Sequence, residues 1–166
     1  MNTPAASIAI FAVLVAASCD GPKEMLVGGD EPTTVGATPI EIHPDDCSLF
    51  DLETDPVTIQ EIGLSGDLLT ITVKYSGGCD DHALTLHAGP CFLESWPPQS
   101  EIYLVHDDPG DPCDAIVTEE RVFDLTPLKK TYRVDQQGRS RTLWLNVYVP
   151  GSQAAYQPRP SYDMGP

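Results

Sequence analysis

Residues 69–75 alternate without a break: Leu69, Ile71, Val73 and Tyr75 are apolar or aromatic, and Thr70, Thr72 and Lys74 between them are polar. A period of two sends successive side chains to opposite faces, so this segment can bury one face only as a β-strand. Leu143, Leu145, Val147 and Val149 repeat the pattern around Trp144, Asn146 and Tyr148. Shorter runs at 57–62, 83–87, 102–106, 115–118, 121–125 and 131–134 read as further strands. Turn chemistry separates them at Ser65-Gly66-Asp67, Gly77-Gly78, Gly89-Pro90, Pro97-Pro98, Asp108-Pro109-Gly110 and Gln137-Gly138. Many short strands divided in this way predict an all-β domain over 41–150, an antiparallel β-sandwich or small barrel. Only 126–130 is expected to turn helical, with Thr126 capping and Pro127 in the first position.

The chain begins differently. Residues 8–17 are an unbroken apolar run, followed by Ser18 and Cys19. Ten apolar residues are too few to cross a bilayer, which takes about 20, but they suit an export signal. Ala16-Ala17-Ser18-Cys19 resembles the lipobox of bacterial lipoproteins. That resemblance implies a signal peptide over 1–18 and lipidation of Cys19. A diacylated (palmitate-type) Cys19 would hold the protein stably on a bacterial membrane, on its periplasmic or surface side. Simple cleavage after Ala17 would instead give a secreted protein. No Lys, Arg, Asp or Glu lies in 1–18, so the net charge of −16 is that of the remaining chain.

The five cysteines are Cys19, Cys47, Cys79, Cys91 and Cys113. Acylation of Cys19 leaves an even four, which in an oxidising compartment are expected to form two disulfides. Four cysteines allow three pairings, and the sequence does not choose among them.

A charge of −16 repels nucleic acid and anionic headgroups, which argues against a phosphate-binding role. Acid crowds the early chain. Residues 19–60 hold ten acidic side chains against one base, Lys23, whereas Lys129, Lys130, Arg133, Arg139, Arg141 and Arg159 lie late. Residues 19–40 are rich in Gly, Pro, Thr and acid and read as a flexible acidic tether. Residues 151–166 read as a Pro-rich tail that orders only by docking.

Two segments stand out within the domain. One runs Gly77-Gly78-Cys79-Asp80-Asp81-His82. The other runs His106-Asp107-Asp108-Pro109-Gly110-Asp111-Pro112-Cys113. They resemble a family of small, uncharacterised exported bacterial proteins that carry a Gly-Gly-Cys-x-x-His stretch and a later His-x-x-x-x-Asp-x-Cys stretch. The resemblance covers about 70–128 and implies no activity.

Three readings compete for these residues. In the structural one, Cys79 pairs with Cys113 and Cys47 with Cys91, and His82 and His106 hydrogen-bond loop backbone. In the second, Cys79, His82, His106 and Cys113 hold zinc, whose ligand types they are. An oxygen variant of it gathers calcium with Asp107, Asp108, Asp111 and Asp114. The third is catalysis, for which no motif is present: there is no Gly-x-Ser-x-Gly, His-Glu-x-x-His, Cys-x-x-Cys or glycine-rich phosphate loop. The expectation is a non-enzymatic binding or structural module at the cell envelope, without a cofactor. It would meet the membrane through its lipid, and a protein or glycan through loops at one end of the sandwich. The alternative is a metal-binding protein or metal-dependent enzyme centred on His82 and His106. Trp96, beside Pro97 and Pro98, could offer a flat contact surface or pack over the rim.

Overall fold

The computed structural model describes residues 36–136 and 140–165. The predicted signal peptide, Cys19 and most of the predicted tether lie outside the described residues.

The elements in chain order are β1 (Thr38–Pro39), β2 (Glu41–Ile42), β3 (Thr58–Ser65), β4 (Leu68–Gly77), β5 (Ala83–Leu93), β6 (Gln99–Asp107), β7 (Ala115–Asp124), α1 (Thr126–Gln136), β8 (Thr142–Tyr148) and β9 (Ser161–Asp163). They form a four-stranded sheet ordered β1-β7-β4-β3 and a five-stranded sheet ordered β2-β5-β6-β8-β9. The fold is all-β, as the alternation predicts. Both sheets are mixed rather than purely antiparallel, because β1 runs parallel to β7, β2 to β5 and β6 to β8. The last of these needs a crossover, and α1 lies in the chain between β7 and β8 to supply it.

The core forms where the two sheets pack. On β4, Leu69, Ile71, Val73 and Tyr75 are buried and alternate with more exposed neighbours. They meet Leu84, Leu86 and Ala88 of β5, Ile102 and Leu104 of β6, and Leu143, Leu145 and Val147 of β8 in one apolar cluster. The segments 115–118 and 121–125, read separately from the sequence, lie mostly in the one strand β7, whose ten residues all pair with β4.

Residues 131–134 belong to α1 and not to a strand. The Asp124 carboxylate accepts hydrogen bonds from the Thr126 backbone N–H at 2.9 Å and its hydroxyl at 2.6 Å, which starts the helix. Leu128 and Tyr132, four apart, are buried on one face, and Tyr132 meets Phe92 edge-on. The chain end docks as well. β9 pairs with β8, and Tyr162 is fully buried with its hydroxyl donating to Asp67 at 2.7 Å.

At the start of the described chain, β1 and β2 join different sheets with only Ile40 between them. Ile40 is buried in the core, and its N–H donates to the Asp124 carbonyl at 2.9 Å. Disulfides join Cys47 to Cys91 and Cys79 to Cys113. Among the described residues no helix is long and apolar enough to cross a membrane.

Candidate functional site

The two motif segments meet at one end of the sandwich. The inward rows of three strands run out there: Val73 and Tyr75 on β4, Leu86 and Leu84 continuing to His82 before β5, and Ile102 and Leu104 continuing to His106 on β6. An inward position that holds histidine must satisfy its ring nitrogens without water. His82 Nδ1 lies 2.8 Å from His106 Nε2, with the ring planes 12° apart. The Tyr75 ring covers both imidazoles, at 4.7 and 4.6 Å between centroids.

Asp111 organises the rest. Its Oδ2 accepts from the backbone N–H groups of Gly78, Cys79 and Asp80 at 2.7, 2.8 and 3.1 Å, and lies 3.2 Å from His82 Nε2. Its Oδ1 accepts from Cys113 N at 2.8 Å. Burial opposes its ionisation, but the backbone donors and His82 outweigh burial and hold Asp111 well below the usual carboxylate range. Gly77 has φ +146°, and a Cβ on it would come within 2.6 Å of His82 Nε2. Only glycine fits there. Next to it, Asp108 accepts from Gly110 N and Asp111 N, and the latter bond is the main reason its carboxyl sits below its ordinary value.

His82 Nε2 faces the Asp111 carboxylate and His82 Nδ1 faces His106 Nε2, while His106 Nδ1 is buried with no hydrogen-bond partner among the described residues. The Tyr75 hydroxyl donates to Glu119 at 2.6 Å. Burial first, and then this carboxylate, push Tyr75 up to about 12.

The structure therefore brings together all four residues of the predicted zinc reading. The sulfurs of Cys79 and Cys113 are bonded to each other, which leaves no thiolate there to bind zinc. Of the predicted oxygen ligands, Asp111 and Asp108 are committed to backbone N–H groups, while Asp107 and Asp114 are exposed.

A second cluster was not apparent from the sequence. Glu41 on β2 is the register partner of His87 on β5. Beyond β2 the ladder continues, with His43 N donating to the Ala88 carbonyl at 2.9 Å, so Glu41 and His43 share one face. His43 Nε2 lies 3.0 Å from His87 Nδ1, and Glu41 Oε2 lies 3.5 Å from the same nitrogen. His87 Nε2 lies 2.8 Å from the Thr85 hydroxyl. Burial pulls His87 below its ordinary value, and Glu41 opposes that pull. The only sequence signal was the alternating triplet Glu41-Ile42-His43, too short to stand out. Its partner lies 44 residues away in a parallel pairing.

Trp96 is 79 % exposed, so it does not pack over the rim. Its turn is held by Ser95 Oγ donating to the Pro97 carbonyl at 2.6 Å and Gln99 Nε2 donating to Ser95 Oγ at 3.0 Å.

No family model matches the sequence, and no curated protein matches it. Solved structures do resemble the fold. A Parabacteroides distasonis protein provisionally described as toxin-related superposes with a TM-score of 0.52 at 21 % identity, over 77 % of this chain and 61 % of its own. A NigD-like immunity protein from Bacteroides caccae gives a TM-score of 0.52 at 19 % identity, over 76 % and 64 %. The chain thus spans less than two thirds of either structure. A Bacteroides fragilis protein provisionally described as a lipoprotein gives 0.49 at 12 % identity, over 78 % and 70 %. At these identities the likeness is one of fold.

Proposed function

We propose that this protein is an extracytoplasmic β-domain, held at the cell envelope by a lipid on Cys19, that acts as a non-enzymatic binding module. The observation that carries the reading is where its chemistry is placed. The distinctive polar groups are spent inside: the side chains of His82 and Asp111 have no solvent exposure, and both oxygens of Asp111 serve backbone donors. The group set out for contact is Trp96, on a turn tied by hydrogen bonds. A large aromatic ring held in water at little entropic cost is what a contact surface for a protein or glycan uses. Two disulfides support an oxidising location, and the lipobox-like Ala16-Ala17-Ser18-Cys19 supports the anchor. One bearer of the fold is named an immunity protein, and at 19 % identity that likeness carries the fold and not the role.

Two measurements test the reading. Cys19→Ala should move the protein from the membrane to the soluble fraction and abolish labelling by a fatty-acid analogue; unchanged membrane association would refute the anchor. A photo-crosslinker at position 96 in living cells should give a discrete adduct that the same group at Ile116, also exposed, does not. Adducts equal at both positions, or none at either, would refute Trp96 as the contact.

A further inference from the structure

We infer that Glu41, His43 and His87 form a binding site for a divalent transition cation, zinc(II) first, at the edge of the five-stranded sheet. The inference is independent of the binding-module reading and uses none of its residues.

One possible ligand atom from each of Glu41, His43 and His87 converges there, all within 4.8 Å of one another. Zinc bound tetrahedrally at about 2.0–2.1 Å holds neighbouring ligand atoms roughly 3.3–3.4 Å apart. The observed separations of 3.0 Å between the imidazole nitrogens and 3.5 Å from His87 to Glu41 bracket that value. Two imidazoles and a carboxylate are a zinc donor set, and three protein ligands leave a fourth position for water. Solvent can supply it, since the Glu41 side chain is 59 % exposed while that of His87 is 11 % exposed.

An outer contact can hold the same state. When His87 Nε2–H donates to Thr85 Oγ1, 2.8 Å away, Nδ1 keeps its lone pair pointed into the cluster. In that tautomer and without a cation, the one N–H among the three atoms is that of His43 Nε2, and it serves only one of two acceptors, His87 Nδ1 or Glu41 Oε2. A cation serves both.

The site is also stapled. Cys47, four residues past His43, is bonded to Cys91, four residues past His87. The segment packs so closely on β5 that a Cβ on Gly89 would overlap the Asp46 carbonyl. The two ligand-bearing strands are therefore cross-linked before any ion arrives, which lowers the entropic cost of binding. No thiolate is required, so an oxidising compartment does not disable the site. Its consequence would be structural. The two-residue strand β2 lies at a sheet edge, and zinc would clamp it to β5.

The test titrates zinc chloride into the full chain, with its disulfides intact and its metal stripped by chelation. One zinc per chain is expected, with a melting temperature that rises with zinc concentration. Thr85→Ala should weaken binding about 10–100-fold, and Glu41→Gln and His43→Ala should each weaken it more. Zinc should shift the ring resonances of His43 and His87 and leave those of His82 and His106 in place. Copper(II) should displace zinc, following the usual order of affinities. Absence of stoichiometric binding would overturn the inference. So would binding that survives Glu41→Gln and His43→Ala and moves the His82 and His106 resonances instead.

Discussion

Replacing both Cys79 and Cys113 with serine should lower the stability of the folded domain by about 4 kcal/mol. The figure follows from the 34-residue separation of the two cysteines. A cross-link that closes n residues removes roughly 2.1 + 1.5R ln n cal/mol/K of entropy from the unfolded chain, and n near 34 gives about 3.8 kcal/mol at 25 °C. The Cys47–Cys91 bridge closes 44 residues. The same relation puts its removal within about 0.3 kcal/mol of the first. The unit Thr33–Pro166 has 134 residues. At about 2.1 cal/mol/K per residue, either loss should lower the melting temperature by roughly 10–15 °C. Urea unfolding of the two double variants and the parent, followed by far-UV circular dichroism, reads the difference directly. A cost below about 1 kcal/mol for the 79/113 pair would refute the chain-entropy argument. So would a cost exceeding that of the 47/91 pair by more than about 1.5 kcal/mol. The latter result would mean that the Asp111 network depends on the bridge, where here its hydrogen bonds are taken to hold residues 78–80 and 113 without it.

Asp111 has a depressed folded-state value, so its contribution is present above the unfolded carboxylate value near 4 and is lost as pH falls through the lower folded value. Stability should therefore decline below about pH 5, and Asp111→Asn should flatten that acid limb in urea titrations taken across pH. Tyr75 runs the other way. Its contribution is intact below the ordinary tyrosine value near 10 and is lost as pH rises through about 12. Tyr75→Phe should cost about 1 kcal/mol at neutral pH and reduce the alkaline loss, seen by following tyrosinate absorbance together with unfolding. Tyr162→Ala should cost about 3–5 kcal/mol, because a fully buried ring leaves a cavity. Tyr162→Phe should cost about 1 kcal/mol, since Asp67 keeps its ion pair with Lys129 at 2.9 Å. Chemical denaturation of both variants checks the pair, and equal costs would contradict the docked tail.

The alternation at 69–75 was legible because β4 is central in its sheet and buries one face along its length. Residues 131–134 misled for a physical reason. Thr131, Tyr132 and Val134 favour strands when taken alone, but the helix begun by Asp124 runs through them and buries Tyr132 on its inner face. The parallel pairings left no local trace, since each joins strands far apart in the chain. At the histidine network the sequence supplied the right residues. The Gly-Gly-Cys-x-x-His stretch is now explained by the close approach of His82 to Gly77 and by the N–H groups of Gly78, Cys79 and Asp80 that Asp111 receives. What it could not supply was Asp111 as the hub, because one aspartate among many in an acidic loop carries no mark. Glu41, His43 and His87 escaped notice because only tertiary pairing makes them neighbours.

The passage of Thr38 to Ile42 from one sheet to the other has a mechanical meaning. A pull on the chain ahead of Thr38 loads the two-residue pairing with β7 first and then that with β5, with Ile40 wedged between the layers, and stops at the Cys47–Cys91 bridge.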